Sequence, residues 1–156
     1  MINIVVEKLV LTTDNRQKAE LELKIDSEKI TLKGEAKSPV FAALNALSNY
    51  FSYVAYGWNL KTEKQPDGIA ATGTVKIIDE KLVNEEIRKA IVEETNGSIY
   101  GGTFQGNSQI SELKGDIPSL VGYRVVGSAI KAYFDALSRA INKECNVQVI
   151  EHQKLK

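Results

Sequence analysis

The stretch that decides the fold is Gly127-Ser-Ala-Ile-Lys-Ala-Tyr-Phe-Asp-Ala-Leu-Ser-Arg-Ala-Ile141. Ala129, Ala132, Tyr133, Ala136, Leu137, Ala140 and Ile141 recur at helical spacing, so one face of the predicted helix is apolar. Lys131, Asp135, Ser138, Arg139 and Asn142 fall on the other face. Four alanines on the apolar stripe suit close packing against a flat partner, most simply a β-sheet. Ser38-Pro-Val-Phe-Ala-Ala-Leu-Asn-Ala-Leu-Ser-Asn-Tyr-Phe51 reads as the same object. Its Asn45-Ala46-Leu47-Ser48 aligns with Asp135-Ala136-Leu137-Ser138 without a gap. Two such helices, each preceded by strand-like sequence, predict an α+β fold. The expected architecture is a duplicated strand-strand-strand-helix unit with pseudo-two-fold symmetry, the helices packed on antiparallel sheets.

Outward from the helices the pattern is consistent. Residues 2–11 are rich in β-branched side chains and predict a first strand, followed by turn chemistry at 12–16. Ala19, Leu21, Leu23 and Ile25 alternate with charged residues, the period of a strand with one wet face. Lys29–Lys33 predicts a third strand, Gly34–Ser38 a loop, and Pro39 suits the first helical position. Val40, Ala43, Leu44, Leu47, Tyr50 and Phe51 form the apolar stripe of this first helix. The second half restarts with Val54, Tyr56, Trp58 and Leu60 as an aromatic strand face, a polar turn over Thr62–Gly68 and a strand over Ile69–Ile78. Asn84–Gly97 has the cap, acidic first turn and trailing glycine of a short helix. Ser98–Ile110, with Gly101, Gly102 and Gly106, reads as a broken strand or loop, and 146–150 as a short terminal strand. The organisation expected is one domain over 1–156: a first repeat of about 1–52, a second of about 53–142, and a tail over 143–156.

Composition bounds the function classes. The 20 basic and 20 acidic residues cancel, which removes the basic excess that nucleic-acid binding rests on. No apolar run approaches the ~20 residues of a bilayer span. The opening Met-Ile-Asn-Ile-Val-Val-Glu has neither the basic region nor the cleavage site of a signal peptide, and Cys145 is the lone cysteine. The expectation is a cytoplasmic protein without nucleic-acid or membrane partners.

Enzymatic constellations are thin. Cys145 and His152 are the one nucleophile–base pair available, in a terminal segment with no orienting third group. Asp79-Glu80 and Glu93-Glu94 read as solvated charges rather than metal ligands, so no metal or cofactor is expected. Gly101-Gly102-x-x-x-Gly106 lacks the Lys-Ser/Thr and following helix of a phosphate loop. Two other places are better suited to a ligand. Glu35-Ala-Lys-Ser38 and Gly122-Tyr-Arg-Val125 each lead into a helix start, where unpaired N–H groups favour a carboxylate.

At these two motifs the chain resembles the C-terminal regulatory domain of the 2-isopropylmalate and citramalate synthase family. Gly34-Glu-Ala-Lys-Ser-Pro-Val-Phe-Ala42 is similar to that family's first motif, roughly G-x-G-x-G-P-V-D-A. Arg124-Val-Val-Gly-Ser-Ala-Ile-Lys-Ala-Tyr-Phe-Asp-Ala-Leu-Ser138 is similar to its second, roughly D-I-V-x-A-S-x-x-A-Y-x-x-A-L-N. Ala36 and Ser38 stand where the family has glycines, and Phe41 and Arg124 where it has acids. The resemblance implies a non-catalytic domain that binds leucine or isoleucine, or a related effector, and dimerises beside a catalytic synthase subunit. It implies effector-binding positions at Ala36, Lys37, Ser38, Pro39, Val40, Tyr123, Arg124 and Val125. The alternative expectation is a structural or interaction protein that keeps the fold without the pocket.

Overall fold

The computed structural model describes residues 1–66, 68–86, 99–106 and 123–150. The fold is α+β. Strands β1 (Ile2–Thr13), β2 (Gln17–Ile25) and β3 (Glu28–Ala36) lead into helix α1 (Pro39–Phe51). Strands β4 (Tyr53–Gln65), β5 (Gly68–Asp79) and β6 (Ile99–Gly106) precede helix α2 (Tyr123–Ala140) and strand β7 (Cys145–Val149). One sheet has the order β3-β2-β1-β7, the other β4-β5-β6. All neighbours are antiparallel except β1 and β7, so the first sheet is mixed rather than purely antiparallel. The expected tail thus contains a sheet strand, and it joins the first unit.

Each helix lies on the sheet of its own unit, α1 on β2 and β3, α2 on β5 and β6, and the two helices touch. The apolar residues of both units form one cluster, with Leu21, Leu23, Leu44 and Leu47 from the first and Val75, Ile77, Tyr133 and Phe134 from the second. The first sheet turns its other face to water, where Lys8–Glu22, Lys18–Glu35 and Lys33–Glu20 pair across strands. These exposed pairs add little stability. Their alternation with buried leucines is what sets the strand register.

Both sheets admit their helix through a glycine. A Cβ at Gly34 would strike the backbone of Ala42 and Ala46, and one at Gly102 the backbone of Ala132 and Ala136. This corrects two expectations. Gly34–Ala36 is the end of β3 rather than a loop, and Ile99–Gly106 is a continuous strand rather than a broken one. In both places the glycine serves close helix packing, not chain reversal. The helix ends also repeat. Ser52, four residues after Ser48, is left-handed at φ 60°, and Asn142, four residues after Ser138, at φ 53°. Each turns the chain out of a helix and toward a strand.

Other boundaries move for identifiable reasons. β4 and β5 extend through the expected 62–68 turn, with Thr62 paired to Ala71 and Gln65 to Gly68, because a polar hairpin end needs no buried face. A bulge between Ala55 and Gly57 breaks the expected aromatic alternation. Ala55 and Leu60 are buried, while Trp58 lies partly covered over Gly73. β1 has a matching bulge between Val6 and Lys8, which keeps Ile4, Val6, Leu9 and Leu11 all in the core. α2 starts at Tyr123, four residues before the expected Gly127, where Val149 Cγ1 lies 3.4 Å from the position a Cβ would take. Tyr50 and Ile141, expected on the apolar stripes, are 47% and 37% exposed. Most of the expected helix over 84–97, together with 107–122 and 151–156, lies outside the described residues.

Candidate functional site

The first group of candidate positions sits where β3 hands over to α1. Ala36 closes the strand and is buried, Lys37 is exposed, and Pro39 and Val40 are buried in the first helical turn. Ser38 is the cap, with extended backbone (φ −129°, ψ 153°) and Oγ accepting from Phe41 N at 3.2 Å. Its carbonyl accepts from Ala42 N at 2.9 Å. Asn45 Nδ2 donates to Glu35 O at 2.9 Å, tying the helix back to the strand. A helix start offers a ligand its unpaired N–H groups. Here Pro39 has none, and those of Phe41 and Ala42 are taken by Ser38. The N–H of Val40 is left to bind anything else.

The second group is not a loop leading into a helix. Tyr123, Arg124 and Val125 are the first turn of α2 itself. Val125 is buried, Arg124 is exposed and Tyr123 is half-buried. The Tyr123 hydroxyl is sealed from solvent with no hydrogen-bond partner among the described residues. The surface carries open depressions of about 340, 370 and 340 Å³. None of these three takes in any of the eight candidate residues.

What the fold does bring together is a polar junction at the helix crossing. Ser48 Oγ, on α1, donates to Leu44 O at 2.8 Å and accepts from Ala55 N at 3.0 Å. Tyr133, on α2, donates to Tyr53 O at 2.8 Å. Burial pushes the Tyr133 phenol well above its ordinary range, opposed in part by the Ser48 hydroxyl, so it stays a neutral donor. Phe51 meets Phe134 edge-on at 5.4 Å, and Tyr133 and Phe134 stand perpendicular at 5.7 Å. Helical spacing puts Tyr133 on the apolar stripe but carries no signal for its partner Tyr53, 80 residues away. A further tie is Arg139, which donates to Gly101 O at 2.6 Å and pairs with Asp135 at 3.2 Å, pinning α2 to β6.

The residues weighed for chemistry are placed less favourably. Cys145 is half-buried, and burial pushes its thiol up, the wrong direction for a nucleophile. His152 and Glu93-Glu94 lie outside the described residues. Asp79 caps a 3₁₀ turn, its carboxylate accepting from Lys81 N at 2.9 Å. Among the described residues no three His, Cys, Asp or Glu side chains gather as metal ligands, and no helix is long and apolar enough to cross a membrane. Comparison with models of known protein families and with curated proteins finds no match to this chain.

Proposed function

We propose that this chain is a non-catalytic, cytoplasmic regulatory-type domain similar to that of the 2-isopropylmalate and citramalate synthases. It binds a small amino-acid-like effector of the leucine or isoleucine class, or it dimerises beside a catalytic partner. One observation carries the reading: among the described residues three strands precede a helix in each half, with a 3₁₀ turn at Glu80–Leu82 between β5 and β6, and each helix lies on a glycine of the third strand. A duplicated unit built on the two motifs that resemble that family would give such an arrangement. The helix starts at Pro39 and Tyr123 are where an effector carboxylate would dock, beside Lys37 and Arg124.

The test is thermal melting with and without millimolar leucine, isoleucine and valine. A ligand at about 100 times its Kd stabilises by about 2.7 kcal/mol. At this size each kcal/mol raises the midpoint by roughly 2–4 °C. A selective rise that Arg124→Ala abolishes is the expected outcome. No rise with any of the three sinks the effector reading.

A second reading is a scaffold that keeps the fold and holds no effector. The capping of α1 favours it, since Ser38 already accepts from Phe41 N and holds Ala42 N. Unchanged melting together with capture of a specific protein partner is its signature.

A further inference from the structure

Among the described residues, strand β7 is a sheet edge. Its neighbour on one side is β1, in parallel register from Ile2–Cys145 to Val6–Val149. Ile2 N donates to Glu144 O at 2.9 Å, and Ile150 N donates to Val6 O at 3.2 Å. In a parallel ladder alternate residues of a strand serve each side. The even-numbered residues 144–150 therefore serve β1, and the peptide groups of Cys145, Val147 and Val149 point away. No described residue takes them up. An open depression of about 340 Å³ runs beside this edge, lined by Lys131, Asp135 and Ser138 of α2 and by Glu144, Cys145, Asn146 and Val147.

The opposite edge of the same sheet is protected. β3 presents Glu28, Lys29, Lys33 and Glu35 to solvent, and charges on an edge strand discourage addition of another chain. β7, Cys-Asn-Val-Gln-Val, has no charge, no proline and no bulge.

We propose that the open edge of β7 pairs with β7 of a second copy of this chain, antiparallel, about a two-fold axis at Val147. This specifies the surface for the dimer half of the proposed function, on which it rests. The occupant follows from self-complementarity. In a two-fold contact the same patch meets itself, so a charged strand would repel its copy. Here Asn146 falls opposite Gln148 of the second copy, and each amide both donates and accepts. The chain's formal charge is zero, so two copies approach without net repulsion. A five-residue strand buries well under the roughly 1,200 Å² of a stable interface. The association is therefore reversible and concentration-dependent.

The experiment is sedimentation of the full chain over a wide concentration range, with two variants. Val147→Pro removes an outward N–H while sparing the ladder to β1. Val147→Cys, in a Cys145→Ser background, places two thiols directly opposite at a spacing a disulfide spans. The wild type is expected to move from one to two 17.2 kDa protomers with concentration. Val147→Pro is expected to stay monomeric with unchanged far-UV circular dichroism, and oxidised Val147→Cys to run as a covalent dimer. If the proline variant unfolds, the cysteine cross-link decides alone. A dimer that ignores the proline and yields no cross-link overturns the edge and leaves the dimer reading standing. A monomer at every concentration overturns both, whereas an edge filled by another protein's strand overturns the pairing of β7 with a second copy alone.

Discussion

Gly102 of β6 lies so close under Ala136 of α2 that a methyl group on the glycine would sit 2.5 Å from the alanine nitrogen and 3.0 Å from its Cβ. Gly34 of β3 stands in the same relation to Ala46, at 2.5 Å from its nitrogen. The obstructing atoms are helix backbone, which cannot swing aside as a long side chain can. Gly102→Ala and Gly34→Ala are each expected to lose about 1–3 kcal/mol or more by overpacking. The control is Gly57→Ala, whose nearest neighbour is the Lys76 stem at 3.7 Å. It is expected to melt at or above the wild-type temperature. Equal losses at all three positions would mean that strand propensity, not helix approach, sets the effect.

Tyr133→Phe keeps the ring contacts with Phe51 and Phe134 and removes the donor to Tyr53 O. Losing that hydrogen bond is expected to cost about 1 kcal/mol. Ser48→Ala strands the Ala55 N–H in the same way. Because both residues belong to one junction, the double variant is expected to depart from the sum of the singles. Chemical denaturation of the four proteins measures this, and strict additivity would show two unrelated bonds.

Ser38→Ala removes the α1 cap and is expected to cost about 1 kcal/mol, while Ser38→Gly costs a few tenths. The same pair separates the two functional readings. If an effector docks at this helix start, freeing the Phe41 N–H alters its affinity as well as the melting point. A change in stability alone, with the leucine, isoleucine and valine responses untouched, places the site elsewhere.

Alkaline pH acts through Tyr133. A phenol ordinarily titrates near pH 10, and in the folded chain burial holds this one well above that. The raised folded value means its contribution is complete below pH 10 and is lost as pH rises further, because only the unfolded chain then releases the proton. The Tyr133→Phe variant is expected to show a shallower fall in stability above pH 10 than the wild type. Parallel curves would remove Tyr133 as the cause.

The helices were the most legible part of the chain, because alanine, leucine and aromatic residues at 3.6-residue spacing admit few other readings. Pro39 and Phe51 are the observed ends of α1. The glycines were less legible, because the constraint on them is not local. At Gly34 and Gly101-Gly102 a local reading finds flexibility, whereas a helix more than 25 residues away at Ala132 and Ala136 is what demands the missing Cβ of Gly102. The bulges at Glu7 and Tyr56 were equally hidden, since one inserted residue leaves composition unchanged while reversing which side chains face inward. Of the candidate site, Ser38 and Pro39 were legible as a helix start. Tyr123 and Arg124 lie inside the helix because α2 runs through Gly127 rather than starting there.

The pairing of β7 with β1 also constrains how the chain is made. During synthesis β1 emerges first, yet its neighbour on one side is encoded after the whole second unit. At typical rates of 5–20 residues per second, that side of β1 waits on the order of ten seconds for its partner. The first sheet therefore cannot finish folding on the ribosome ahead of the second. A pause or truncation before Cys145 would leave a nascent chain with an unfinished sheet, the species that chaperones and proteases act on.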